Sequence, residues 1–150
     1  MNPLVAFDAD VLIYAGQLGH PLGRRIVRLF PDVPDEIAGV GSLSLLSEVL
    51  AKPMRLDPAS ADSQRLLELV GRLDLYPLDD STARLALTLA IEYKLKTADS
   101  VHLATAIVAG ADRFLTNNRR DFPKTITEIV IVYPDDIPDP GEESDDVPAE

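Results

Sequence analysis

The chain has no cysteine and no tryptophan, and only four phenylalanines and four tyrosines among 150 residues. Without cysteine there is no disulfide, no thiolate nucleophile and no cysteine-ligated zinc. No apolar run approaches the roughly 20 residues that a membrane-spanning helix needs. The N-terminus is apolar but lacks a basic leader, and Asp8 and Asp10 interrupt it, so a signal peptide is not expected. A glycine-rich phosphate loop is missing, and no serine sits in a nucleophile elbow. His20 and His102 are not spaced as a metal-binding pair. A soluble protein of the cytoplasm with no membrane partner is the expectation, and attention turns to the acids.

There are 25 acids against 14 lysines and arginines, a net charge of -11. Eight of those acids follow Tyr133 with no base among them, so residues 1–132 hold 17 acids against 14 bases, a balance of -3. The C-terminal stretch also carries Pro134, Pro138, Pro140, Gly141 and Pro148. This composition predicts one domain over residues 1–133 and a disordered, acidic tail over 134–150. A near-neutral body does not exclude a nucleic-acid partner.

Leu4–Phe7 reads as a short buried strand with Asp8 at its C-terminal end. A brief helix is expected through Val11–Gly16, a break at His20–Gly23, and a helix over Arg24–Phe30. Ile37–Gly41 is a second strand candidate, followed by a helix over Ser44–Ala51 that Pro53 should stop. Helical spacing marks Ala61–Leu73, and Leu75–Leu78 is a third strand candidate. Asp79, Asp80 and Ser81 offer caps for a helix over Thr82–Lys94. Thr97 to Gly110 reads as a further helix, and Arg113–Thr116 and Ile129–Val132 complete the strands. Strands alternating with helices predict an α/β fold, a three-layer α/β/α sandwich on a short, mostly parallel sheet. In such sheets ligands lie beyond the carboxyl ends of the strands.

Four acids stand in distinctive settings. Asp8, two residues before Asp10, directly follows an apolar strand, where it can mark a site or cap the next helix. Glu48 lies in Ser44–Leu50, and its spacing with Ser44 and Lys52 suits a solvated helix face equally well. Asp99 opens Asp99-Ser100-Val101-His102-Leu103-Ala104-Thr105-Ala106, where a first-turn acid is favoured by the helix dipole. Asp121 closes Thr116-Asn117-Asn118-Arg119-Arg120-Asp121, and can also be a turn residue. Carboxylates gathered from strand ends and helix starts suit Mg²⁺ or Mn²⁺, because hard cations prefer oxygen ligands. His102 is expected to pack or hydrogen-bond. Arg24, Arg25, Arg28, Arg119 and Arg120 are candidate phosphate contacts.

In their order and spacing these segments resemble PIN-domain ribonucleases, especially the VapC-type toxins of toxin–antitoxin pairs, over roughly residues 4–132. The resemblance implies a metal-dependent endoribonuclease that cleaves RNA with a metal-activated water. It makes Asp8, Glu48, Asp99 and Asp121 the catalytic and metal-binding residues, for one or two Mg²⁺ or Mn²⁺. Thr116 and Asn118 become polar support, and in other PIN proteins the acid falls at the position of Asn118. Asp10 departs from the usual Asn or Ser. A homodimer, an antitoxin partner whose C-terminal segment lies in a groove, and an RNA substrate are implied as well. The acidic tail is outside the usual pattern.

Two rivals keep a place. Phe7-Asp8-Ala9-Asp10-Val11-Leu12 mimics the nucleophile motif of haloacid-dehalogenase-like phosphatases. Only about twenty residues then separate Thr116 from Asp136, too few for the intervening strand–helix units. A PIN-like binding or scaffold module without catalysis is the other, and intact Asp8, Glu48 and Asp99 weigh against it.

Overall fold

Five short runs pair side by side in a computed structural model that describes residues 2–139. β1 (Val5–Phe7), β2 (Gly39–Ser42), β3 (Leu73–Tyr76), β4 (Arg113–Leu115) and β5 (Val130–Val132) form one sheet in the order β3-β2-β1-β4-β5. Every pairing is parallel, with Phe7 opposite Leu115 and Val40 opposite Asp74. The α/β/α expectation holds, and the sheet is wholly rather than mostly parallel.

Parallel pairing requires crossovers, and helices supply most of them. α1 (Ala9–Gly16) and α2 (Pro21–Val27) connect β1 to β2, while α3 (Leu45–Leu56) and α4 (Ala61–Gly71) connect β2 to β3. The chain then returns through α5 (Asp80–Tyr93) and α6 (Thr97–Val108) to lay β4 on the other side of β1. Strand order therefore reverses between β1 and β4. In open parallel sheets that reversal opens a crevice at the strands' carboxyl ends.

Alternation along the strands divides the core. Val5, Phe7 and Leu115 join Val11, Leu12, Ile26, Leu45, Val49 and Leu66 on the α1–α4 face. Ala6, Phe114 and Ile131 join Leu89, Leu103, Ala104 and Phe122 on the α5–α6 face. α6 is buried continuously from Ser100 to Ala106, and its small residues let it lie close to the sheet. Close approach also fixes two glycines. A Cβ at Gly23 would come 2.1 Å from the Tyr14 carbonyl oxygen where α2 meets α1, and one at Gly39 would come 2.4 Å from the Val5 carbonyl oxygen.

Several boundaries differ from expectation for local reasons. Helix α2 starts at Pro21, not Arg24, because Pro suits the first helical position and His20 Nδ1 caps it, accepting from the Leu22 and Gly23 N–H groups. Pro53 does not stop α3, which continues to Leu56. The Pro53 carbonyl accepts from the Asp57 N–H and the Ser63 hydroxyl, tying the last turn to α4. β3 begins two residues before the expected Leu75. Pro134–Asp136, on the tail side of the expected boundary, form a 3-10 turn, and Ile137 is buried against the α1–α4 core. The rest of the expected tail, residues 140–150, lies outside the described residues.

Candidate active site

Asp8 follows β1 directly and is the N-cap of α1, its Oδ1 accepting from the Ala9 N–H at 2.8 Å. Thr116 follows β4, the neighbouring strand, and its hydroxyl donates to Asp8 Oδ2 at 2.8 Å. Both side chains are buried. A carboxylate and a hydroxyl 108 residues apart in sequence thus meet where the sheet reverses order. The N–H of Asn118 donates to the Thr116 hydroxyl oxygen, and the Asn118 amide donates to Asp121 Oδ2 at 2.9 Å. Asn118 therefore acts as a strut between Thr116 and Asp121, consistent with polar support.

Asp10 lies in the first turn of α1 and accepts from the Asn117 N–H through Oδ2 at 3.1 Å. Its Oδ1 is buried and has no hydrogen-bond partner. Orphaned carboxylate oxygens are costly away from water, so this atom is open to a proton, a water or a cation. Neither Asn117 nor Tyr14, which Asn117 Nδ2 reaches at 3.4 Å, was singled out from sequence. The strand-loop position of Asn117 was the available signal.

On the opposite side of the crevice His102 is buried in α6, and its Nε2 lies 3.0 Å from both Glu48 oxygens. A carboxylate only accepts, so Nε2 carries the proton and donates. The expected hydrogen-bonding role of His102 is thereby given a partner, 54 residues away. Its position three residues beyond Asp99, on the same helical face, was the only hint in the sequence.

Electrostatics tie the acids together. Burial raises the Asp8 carboxyl above the usual range, against the lowering pull of His102 and of hydrogen bonds from Thr116 and Ala9, and nearby Glu48 raises it further. Burial first, and then the Asp8 charge, push Asp10 to about 7, with Asp99 adding to the rise. Asp99 is raised by burial, by Asp8 and by Asp121. The five acids named from sequence are thus linked electrostatically, Glu48 through Asp8, Asp8 with Asp10 and Asp99, and Asp121 through Asp99. Among the described residues no three histidine or acidic side chains close into a ready coordination shell. The acids are near enough to disturb each other's protonation but not, as placed, to grip one ion together.

Residues 5–126 match the PIN domain family. The chain is a PIN domain. A chain of a toxin-antitoxin complex from Klebsiella pneumoniae has a similar structure, with a TM-score of 0.68 and 24% identity, covering 87% of this chain and 97% of that one. The shared fold extends over nearly the whole chain. No curated protein matches its sequence. The phosphatase resemblance of Asp8 and Asp10 does not carry over to this PIN domain. Asp135 and Asp136, which that reading needs beside Asp8, pair instead with Arg119 and Lys124.

PIN domains typically depend on a divalent metal, and the donors here fit one. They are oxygens, the choice of Mg²⁺ and Mn²⁺, and one of them, Asp10 Oδ1, is buried with its hydrogen-bonding capacity unused. Asp8, Glu48, Asp99 and Asp121, with Asp10 beside them, are the residues that would hold such an ion once drawn together. Of these, Glu48 is held by His102.

Proposed function

We propose that this PIN domain is a metal-dependent endoribonuclease and the toxin of a toxin–antitoxin pair. The observation that carries the reading is the convergence of Asp8, Asp10 and Asp99 at the sheet's switch point, with carboxyls raised by burial and by one another. Acids arranged so that their charges oppose one another fit a site that takes up positive charge. A bound Mg²⁺ or Mn²⁺ would supply an activated water and offset charge on the leaving oxygen of a phosphodiester.

The chain's own residues hold the frame for that chemistry. Ala9 and Thr116 fix both oxygens of Asp8, Asn118 fixes Asp121, and His102 fixes Glu48. Asp99, half-buried at the start of α6, faces Asp8 and Asp121 and completes the acidic wall.

An antitoxin partner is supported by a groove between α1, α3 and α4. Ile13, Val49, Leu56 and Leu66 make its apolar floor, with Glu48 among its lining residues. A partner segment in that groove could deliver a basic side chain toward the acids. Self-association to a homodimer is supported by Leu87 and Ile91, exposed one turn apart on α5.

Cleavage of total RNA with Mg²⁺ or Mn²⁺ tests the reading. Wild type should cut, and both EDTA and Asp99→Asn should abolish cutting. Metal binding by calorimetry without any cleavage, across transfer, ribosomal and messenger RNA, would replace the nuclease with a metal-binding scaffold.

A further inference from the structure

The segment after β5 lies on positive charge. Asp135 pairs with Arg119, Asp136 with Lys124 Nζ at 2.7 Å, and Asp139 with Arg24 and Arg25 at 3.7 and 3.8 Å. Arg25 also donates to the Ile137 carbonyl at 2.8 Å and Arg28 to the Pro138 carbonyl at 3.0 Å. Five of the chain's 14 bases thus touch one acidic segment. Arg119 immediately follows Asn118, the strut of Asp121, so the basic strip runs from α2 to the rim of the acidic crevice.

Resting on the ribonuclease reading above, we infer that this strip is the track for the RNA phosphate backbone, and that Asp135, Asp136 and Asp139 occupy it as internal substitutes for phosphate. Stability accounts for only part of this arrangement: Asp136 also accepts from the Tyr133 N–H and caps the turn. Ile137 is buried in the core and anchors the segment, and main-chain carbonyls already engage Arg25 and Arg28. Exposed ion pairs add little to folding, and the Arg119–Asp135 side chains are 50% and 59% exposed. Their effect on a polyanion is larger, because each arginine or lysine held by its own aspartate is withdrawn from contact with phosphate. An otherwise near-neutral body thus sets five bases in one strip beside the acids that would cut. RNA must therefore displace carboxylates before it reaches the site.

The test reads binding of a short labelled single-stranded RNA to the full chain in EDTA, where no cutting occurs, over a range of salt concentrations. The triple variant Asp135→Asn, Asp136→Asn, Asp139→Asn is compared with wild type. A control carries the same charge change at acids that hold no lysine or arginine in an ion pair among the described residues, through Glu36→Gln, Asp74→Asn and Glu92→Gln. The inference expects tighter binding at low salt in the first variant, with a log–log salt slope steeper by about 2, from roughly 0.7 per freed contact on single strands. The control should keep the wild-type slope. Equal slopes in all three proteins, equal gains in both variants, or no RNA binding by any of them would overturn the inference. Should the triple variant fold poorly, Asp135→Asn alone should steepen the slope by about 0.7, and an unchanged slope there overturns it too. A metal-supplied cleavage assay on the same proteins separates the two readings, since unchanged binding with retained cleavage removes the strip and leaves the nuclease.

Discussion

Two groups of aspartates meet opposite fates in this PIN domain. Asp8, Asp10 and Asp99 are drawn into the sheet's crevice, where the strongest charges on Asp10 and Asp99 are other acids and Asp8 is held between His102 and Glu48. Asp135, Asp136 and Asp139 lie against α2 and the β4 loop, each facing an arginine or lysine. The residue type is the same, and burial with uncompensated charge separates a place that can take a cation from one that already has its own. Net charge alone would have assigned both groups to one acidic surface.

Breaking the link across the crevice should have the largest effect. With His102→Leu, Glu48 loses the donor that orients it, and affinity for Mn²⁺ measured by calorimetry should fall roughly 10–100-fold, the usual range for a ligand's supporting partner. Unchanged affinity would reduce His102 to a packing residue. Next comes the anchor of the compensated group. Ile137→Ala should lower stability by about 2 kcal/mol or more through lost burial, read as a lower urea midpoint. A midpoint equal to wild type would mean that the segment is not held by that side chain.

The smallest effect sharpens the contrast through pH. Folding raises Asp10 from 3.8 to about 7, so between those values the folded protein keeps a proton that the unfolded chain has released. Its contribution is fully present below pH 3.8 and is lost as pH rises through about 7. In metal-free protein Asp10→Asn should therefore flatten the fall in Tm over that interval, and added Mn²⁺ should stabilise wild type more at about pH 8 than at about pH 5, because bound protons must leave first. Parallel Tm profiles for wild type and variant would place the buried charge elsewhere.

Much of this arrangement was legible in the residues themselves. Apolar runs punctuated by helical spacing predict the α/β/α sandwich, and Asp8 at the end of such a run lands at the switch point. The misplaced edges have local causes, such as Pro21 opening a helix and Pro53 being carried through one. Tertiary links were not legible. Nothing near Glu48 names His102 as its partner, since that pair needs α3 and α6 folded beside the same sheet. The burial of Ile137 was hidden by acidic, proline-rich surroundings that read as tail, because composition averages over the one residue that anchors the turn.

Asp8 caps α1 while Thr116 holds its other oxygen, so it cannot turn away without giving up both the helix cap and the hydroxyl that follows the neighbouring strand. Its torsional entropy was surrendered when the chain folded, and none of that ordering remains to be supplied when a ligand arrives. Of the acids around the crevice, this one behaves as part of the backbone.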